Sequence, residues 1–162
     1  MHFNQYDDDA HIWVYGFNRT FSALEKSAVE AALREFTAGW QSHGKKVSGD
    51  FLILHDRFVI LAVPQKDFVS GCSIDSSVQV FRELNDSLGL DGLDAGLVFY
   101  RKNDTVAAID RPGFQNLIDR GEIKSDTIVF DSSIQTVGEL RAGKFERPLS
   151  GSWHAVYFSL SA

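Results

Sequence analysis

The sequence predicts an α+β fold with a ferredoxin-like split β-α-β core, in which the helices cover one face of an antiparallel sheet. The order of predicted elements is strand, helix, two strands, helix, strand, which is the order of that fold. Only three polar residues separate the two middle strands, so they must pair as an antiparallel hairpin. A chain of 162 residues with 44% hydrophobic residues is long enough for one domain with a large core. We expect a single domain, with the core at about 1–110 and a C-terminal extension at 111–162.

The first strand and the first helix follow from local patterns. Residues 11–15 are β-branched or aromatic and predict a strand. Ser22 and Glu25 have the spacing of a capping box, in which each side chain binds the backbone N–H of the other residue. Apolar residues at helical spacing follow, and Gly44 comes after them, so the pattern predicts a helix over 22–43. These apolar residues are Val29, Leu33, Phe36 and Trp40.

Two apolar runs at 51–54 and 58–63 predict central strands, because both faces of each run are hydrophobic. Pro64 ends the second run. A second helix is predicted over 73–88, where Gly89 provides the stop. Its apolar face consists of Ile74, Val78, Phe81, Leu84 and Leu88.

The rest of the chain contains shorter patterns that predict strands and one helix. Residues 96–100 and 105–109 predict a further hairpin, of which the first strand is the fourth of the ferredoxin-like core. In the extension, we expect a short helix that begins near Phe114 and ends at Gly121, and a short strand at 127–130. The tail at 153–158 has strong β-propensity and is expected to return to the sheet.

Composition excludes several classes of protein. Sixteen basic against twenty-two acidic residues give a formal net charge of −6, which argues against a nucleic-acid binder that follows the phosphate backbone. A single cysteine cannot form an internal disulfide. The first residues lack the pattern of a signal peptide, and no apolar run reaches the roughly 20 residues that span a bilayer, so we expect a cytoplasmic protein without membrane association. No paired histidine or cysteine spacing indicates a structural metal, and we expect no cofactor.

The segment from Gly39 to Lys46 has the spacing of a Walker A phosphate loop. The last position of such a loop must be Ser or Thr to hold magnesium, and here it is Lys46. The match also ends a predicted helix, whereas a phosphate loop begins one. We therefore expect no ATPase activity.

The segment with the clearest candidates for a functional site is Gly71-Cys72-Ser73, at the predicted start of the second helix. Cys72 is a candidate nucleophile, because a helix N-terminus favours the thiolate. Alternatively, Gly71, Cys72, Ser73, Ser76 and Ser77 form a candidate anion site made of backbone N–H groups and hydroxyls. Asp75 argues against an anion, because it brings its own negative charge to this turn. The structural alternative for Cys72 is a small buried residue at a tight helix entry.

A cysteine–histidine pair would require His43, His55 or His154 near Cys72, and the sequence does not place them. Trp153 and His154 are expected to anchor the tail, with a catalytic role for His154 as the alternative.

Several segments together resemble one known family. The most specific is Gly71-Cys72-Ser73-Ile74-Asp75, and the others are residues 12–15, Trp40 with His43-Gly44, residues 57–63, residues 126–130 and Ser152-Trp153-His154. They resemble an uncharacterised family of bacterial proteins of about this length, often carried under the label "ABC transporter ATPase". The chain has neither a usable Walker A loop nor the Leu-Ser-Gly-Gly-Gln signature that the label would require. The resemblance therefore implies no activity for this chain.

The function expected from the sequence is a binding module, for a small ligand or a protein, without nucleotide hydrolysis. The alternative is a thiol-dependent enzyme or redox sensor that uses Cys72. A homo-oligomer that pairs through a sheet edge or the tail is a third option.

Overall fold

The computed structural model describes residues 3–67 and 71–160, and for residues 71–73 it describes the helical backbone. It contains helices and antiparallel sheets, as expected for an α+β fold. The strands are β1 His11–Gly16, β2 Gln41–Ser42, β3 Lys45–Lys46, β4 Asp50–Leu54, β5 Phe58–Val63, β6 Leu97–Lys102, β7 Thr105–Asp110, β8 Ile128–Phe130 and β9 Glu146–Pro148. The α-helices are α1 Ala23–Gly39, α2 Gly71–Leu88, α3 Arg111–Asp119, α4 Val137–Arg141 and α5 His154–Tyr157, and two 3₁₀ turns lie at Gln65–Asp67 and Leu149–Gly151.

The strands form two main antiparallel sheets. The first has the order β1-β5-β4, and the second has the order β7-β6-β8-β9. A small third pair joins β2 to β3. One isolated bridge joins His11 to Thr136, next to the hydrogen bond from the backbone N–H of Ile12 to the carbonyl of Gln135.

The two main sheets pack face to face, with helices on both outer faces. Alternate residues of β5 point to opposite sides: Val59, Leu61 and Val63 contact α1 and α2, whereas Phe58, Ile60 and Ala62 contact the second sheet. The ring centre of Phe58 lies 4.9 Å from that of Phe99 and 5.2 Å from that of Phe130. The other face of the second sheet packs against α3 and α5. The result is four layers, in the order helix, sheet, sheet, helix.

Several predicted elements are confirmed. Ser22 and Glu25 make the capping box of α1. Strands β4 and β5 pair antiparallel, and α1 and α2 cover the same face of the first sheet. From the predicted strands and helices, we expect ten apolar residues in the core. Of these, Val29, Leu33, Trp40, Ile60, Phe81 and Leu84 are buried, whereas Trp13, Phe36, Ile53 and Val78 are half-buried.

The ferredoxin-like arrangement itself is not confirmed, because its fourth strand lies elsewhere. The predicted strand at 96–100 became β6, which pairs with β7 and β8 in the second sheet and not with β1. The outer edge of β1 is instead approached by the segment around Gln135 and Thr136. Strand β6 is apolar on both faces, so the second sheet buries it more completely than an edge position would.

The end of the first helix was also predicted wrongly. Helix α1 stops at Gly39, and Trp40 is extended at φ −67° and ψ 126°. The following residues make the β2–β3 hairpin, whose two-residue turn is His43-Gly44, with φ of +51° and +78°. Two consecutive positive φ angles are typical of the tight turn that matches the twist of paired strands. The extended chain places the Trp40 ring in the core, where it is 2% exposed.

The predicted strand in the tail is wrong as well. Residues His154–Tyr157 form one helical turn, α5, and not a strand of the second sheet. Phe158 follows this turn and packs its ring 4.7 Å from that of Phe114 on α3. Tertiary packing of aromatic side chains therefore overrides the β-propensity of this segment.

Within residues 3–67 and 71–160, no helix has both the length and the apolar character needed to cross a membrane.

Candidate functional site

The sequence motif Gly71-Cys72-Ser73 forms the start of α2. The side chains of these three residues, and residues 68–70 before them, lie outside the described residues. The candidate nucleophile Cys72 and this part of the candidate anion site therefore stay predictions.

Farther along α2, the structure describes the other residues of the candidate anion site. Ser76 is exposed, and so is Asp75. Ser77 is fully buried, and its hydroxyl donates to the carbonyl of Ile74 at 2.6 Å and lies 3.2 Å from the hydroxyl of Tyr15. The Ser77 hydroxyl thus already has two partners inside the protein.

The structure places all three histidines that were considered for a pair with Cys72. His43 occupies the turn of the β2–β3 hairpin. The ring of His55 lies 5.3 Å from that of Phe130, and its Nε2 is 3.5 Å from a carboxylate oxygen of Glu146. The third histidine, His154, lines a cavity.

That cavity, which we call the inter-sheet groove, has a volume of about 560 Å³. It opens where the end of β1 and the start of β6 meet the loop at 92–95, the turn at 132–133 and helix α5. Most of its wall is apolar or aromatic. Its lining residues are Val14, Tyr15, Gly16, Gly92, Leu93, Asp94, Ala95, Leu97, Val98, Phe99, Arg111, Phe130, Ser132, Ser133, Trp153, His154 and Tyr157.

Arg111 is the one arginine in the lining of the inter-sheet groove. It is the first residue of α3, directly after the capping residue Asp110. Its guanidinium carbon lies 4.7 Å from the ring centre of Tyr157 and 5.6 Å from that of Trp153. Its Nε is buried without a hydrogen-bond partner, and no carboxylate in the described part of the chain pairs with it. The two aromatic rings hold this cation in place without neutralising it.

His154 is 1% exposed and contributes its ring to the wall of the groove. Its Nδ1 lies 2.8 Å from the hydroxyl oxygen of Ser152. The Ser152 hydroxyl also lies 2.9 Å from the carbonyl of Leu149, so its one proton can be donated to that carbonyl or to Nδ1. Burial is the largest cause that lowers the pKa of His154 from 6.5 to about 4. The charge of Asp131 raises this pKa, and the charges of Arg147 and Arg111 lower it. The imidazole is therefore neutral at pH 7 and carries one proton, on Nδ1 or on Nε2.

Asp131 supports the wall of the groove from behind. Its carboxylate is 1% exposed and accepts hydrogen bonds from the backbone and hydroxyl of Ser133 and from the guanidinium of Arg147. Burial alone would raise the pKa of Asp131, but these hydrogen bonds and the charge of Arg147 lower it overall. The Asp131 charge is thus neutralised by Arg147, while Arg111 stays unpaired.

The sequence analysis missed Arg111, Ser152 and Tyr157, and it considered His154 only as a tail anchor or catalytic residue. One signal was available for Arg111. An arginine in the first turn of a helix places a positive charge at the positive end of the helix dipole, which is unfavourable and calls for another reason.

The described residues contain no group of three or more His, Cys, Asp or Glu side chains that could hold a metal ion. The sequence matches no protein-family model and no curated protein, and the fold matches no solved structure.

Proposed function

We propose that this protein is a binding module for a small aromatic carboxylate, which occupies the inter-sheet groove and pairs with Arg111. The carrying observation is the guanidinium of Arg111, which has no carboxylate partner among the described residues and lies in a cavity whose wall is mostly apolar or aromatic. The sequence predicts a binding module for a small ligand or a protein, and the proposal specifies the chemical class of a small ligand. It involves no nucleotide hydrolysis.

The charge in the groove favours an anionic ligand. A guanidinium presents a planar fork of N–H donors that matches the two oxygens of a carboxylate. A buried donor without a partner is costly, and a bound anion would lower that cost. Asp94, the acidic residue in the lining, is exposed, and its Oδ1 accepts the backbone N–H of Gly96 at 2.8 Å. Solvent therefore screens Asp94 more strongly than Arg111.

The shape and chemistry of the walls favour an aromatic ligand. Small-molecule sites in proteins have volumes of about 300–1,000 Å³ and are mostly apolar with a few polar groups, as is this groove of about 560 Å³. Phe99, Phe130, Trp153 and Tyr157 offer ring faces and edges to a planar molecule. A bicyclic acid such as 2-naphthoate fits these requirements.

A purely structural role for Arg111 is the competing explanation. In that case, the guanidinium would link α3 to α5 through Trp153 and Tyr157 and would bind nothing else. The two explanations differ in what they predict for ligand binding, and also for stability.

Isothermal titration calorimetry with 2-naphthoate and its uncharged analogue 2-naphthamide tests the proposal. We expect 2-naphthoate to bind at least tenfold more tightly than 2-naphthamide, and Arg111→Gln to remove that difference. Arg120→Gln is the matched control, because Arg120 lies at the other end of α3 and its side chain is 68% exposed. Equal binding of the acid and the amide, or unchanged binding by Arg111→Gln, would refute the proposal.

A further inference from the structure

We infer that the ligand also carries a hydrogen-bond donor, a phenolic hydroxyl or a ring N–H, which Nε2 of His154 accepts. This inference rests on the proposed function and makes the ligand class a hydroxyaryl or N-heteroaryl carboxylate. Arg111 would then bind the acid at one position of the groove and His154 would select the donor at another.

The tautomer of His154 depends on which acceptor receives the one proton of the Ser152 hydroxyl. In the tautomer that we assign, this proton goes to the carbonyl of Leu149, 2.9 Å from the hydroxyl oxygen. The hydroxyl oxygen is then an acceptor for Nδ1–H of His154 at 2.8 Å and for the backbone N–H of the same residue at 3.3 Å. Nε2 is left without a proton and can only accept.

Nε2 has no hydrogen-bond partner among the described side chains and backbone groups, which leave out the side chains of residues 71–73. The Trp153 ring stacks on the imidazole with ring centres 4.0 Å apart, so one face of the ring is covered. The Phe158 ring lies nearly parallel to it, at 6.4 Å. His154 belongs to the lining of the groove, and in the arrangement that we infer the ring edge with Nε2 faces the groove.

An acceptor that lines a cavity is normally satisfied, either by water or by a ligand group. A ligand without a donor would displace water from Nε2 and leave the nitrogen unpaired, which costs affinity. A ligand with a hydroxyl or N–H at this point keeps the hydrogen bond. This difference gives the groove a means to discriminate between acids of the same shape.

The experiment compares 2-naphthoate with its isomeric hydroxy-2-naphthoates and with the corresponding methoxy-2-naphthoates, which accept but do not donate. We expect at least one hydroxy isomer to bind about tenfold more tightly than 2-naphthoate, while its methoxy analogue loses that gain. The double variant His154→Phe with Ser152→Ala removes both polar partners and keeps an aromatic ring, and the gain should disappear in it.

A spectroscopic measurement does not depend on the folding of that variant. Proton–nitrogen correlation NMR of the wild-type imidazole should show a protonated Nδ1 and a bare Nε2, and the Nε2 resonance should shift with the preferred hydroxy acid but not with 2-naphthoate. A proton on Nε2 in the free protein would overturn the inference. So would equal affinity for all the acids, although Arg111-dependent binding of 2-naphthoate would then leave the proposed function intact. If no acid binds in an Arg111-dependent way, both proposals fail.

Discussion

The guanidinium of Arg57 donates three hydrogen bonds to backbone carbonyls, including one of 2.6 Å to Val106, which joins the first sheet to the second. Arg111 has the same side chain, but its described contacts are the rings of Trp153 and Tyr157. One arginine is therefore satisfied by the fold, and the other is not.

The first prediction compares these two arginines by substitution with methionine, which keeps the length of the side chain. Arg57→Met should lower the free energy of unfolding by about 2–4 kcal/mol, because it removes the donors of three carbonyls, including those of Phe17 and Asn18. Arg111→Met should lower it by about 1 kcal/mol, since two cation–π contacts are lost but no hydrogen bond to a backbone carbonyl. Urea denaturation measures both values. A loss for Arg111→Met as large as that for Arg57→Met would indicate a structural role for Arg111.

The second prediction concerns Phe81, whose burial the sequence predicted. Its ring is fully buried and stacks on that of Tyr15 at a centre distance of 4.1 Å. Phe81→Ala should cost about 3–5 kcal/mol of unfolding free energy, through lost burial and a cavity. Leu24→Ala is a control on α1, because Leu24 is 85% exposed and should change stability by no more than about 0.5 kcal/mol. A cost below about 1 kcal/mol for Phe81→Ala would contradict the packing described for α2.

Local patterns in the sequence predicted the elements better than their arrangement. The capping box at Ser22 and Glu25 and the β4–β5 hairpin involve neighbours in the chain, and both are present. The partner of β6 is not determined by such a pattern, because a strand that is apolar on both faces can be central in either sheet. The groove was predictable only in part, since Arg111, His154 and Tyr157 meet through packing of α5 on α3, and the sequence predicted a strand where α5 forms.

The third prediction tests the β2–β3 hairpin. The sequence predicted the first part of this hairpin as the end of a helix. His43 has a φ of +51°, a conformation that asparagine tolerates and a β-branched residue does not. His43→Val should weaken the hairpin by about 1–2 kcal/mol, and His43→Asn should leave it unchanged or stabilise it. Hydrogen exchange of the Val47 amide, which donates to the carbonyl of Trp40 at 3.0 Å, reports on this local opening. Equal exchange rates in the two variants would contradict the turn.

The fourth prediction concerns nucleotides. Gly39 is the last residue of α1, residues 41–46 form the β2–β3 hairpin, and the next element is strand β4, so no helix begins at the end of this segment. A phosphate loop needs its glycines and lysine before a helix N-terminus, so we expect no binding of ATP and magnesium at micromolar concentration. Calorimetry with ATP and magnesium measures this directly. Micromolar binding that Lys45→Ala abolishes would show that the prediction is wrong.

The fifth prediction follows from the neutral state of His154. Burial lowers its pKa to about 4 in the folded protein, whereas an unfolded chain has the ordinary value of 6.5. Above pH 6.5 the His154 ring is neutral in the folded and in the unfolded protein, so its titration does not reduce the free energy of unfolding. Between pH 6.5 and 4, the unfolded state binds a proton that the folded state does not, so the free energy of unfolding falls as the pH falls. The loss from pH 7 to pH 5 should reach up to about 2 kcal/mol, because one pKa unit corresponds to about 1.4 kcal/mol.

Other groups also titrate in this range, so the prediction is a difference between two proteins. His154→Gln removes the titrating ring, and its stability should fall less steeply than that of the wild type between pH 7 and 5. The charged groups that influence His154 are Asp131, Arg147 and Arg111, and the variant keeps all three. Urea denaturation at several pH values gives the two slopes. Parallel slopes would mean that the pKa of His154 in the folded protein is close to the ordinary value of 6.5. Nε2 would then be a bare acceptor only above that pH.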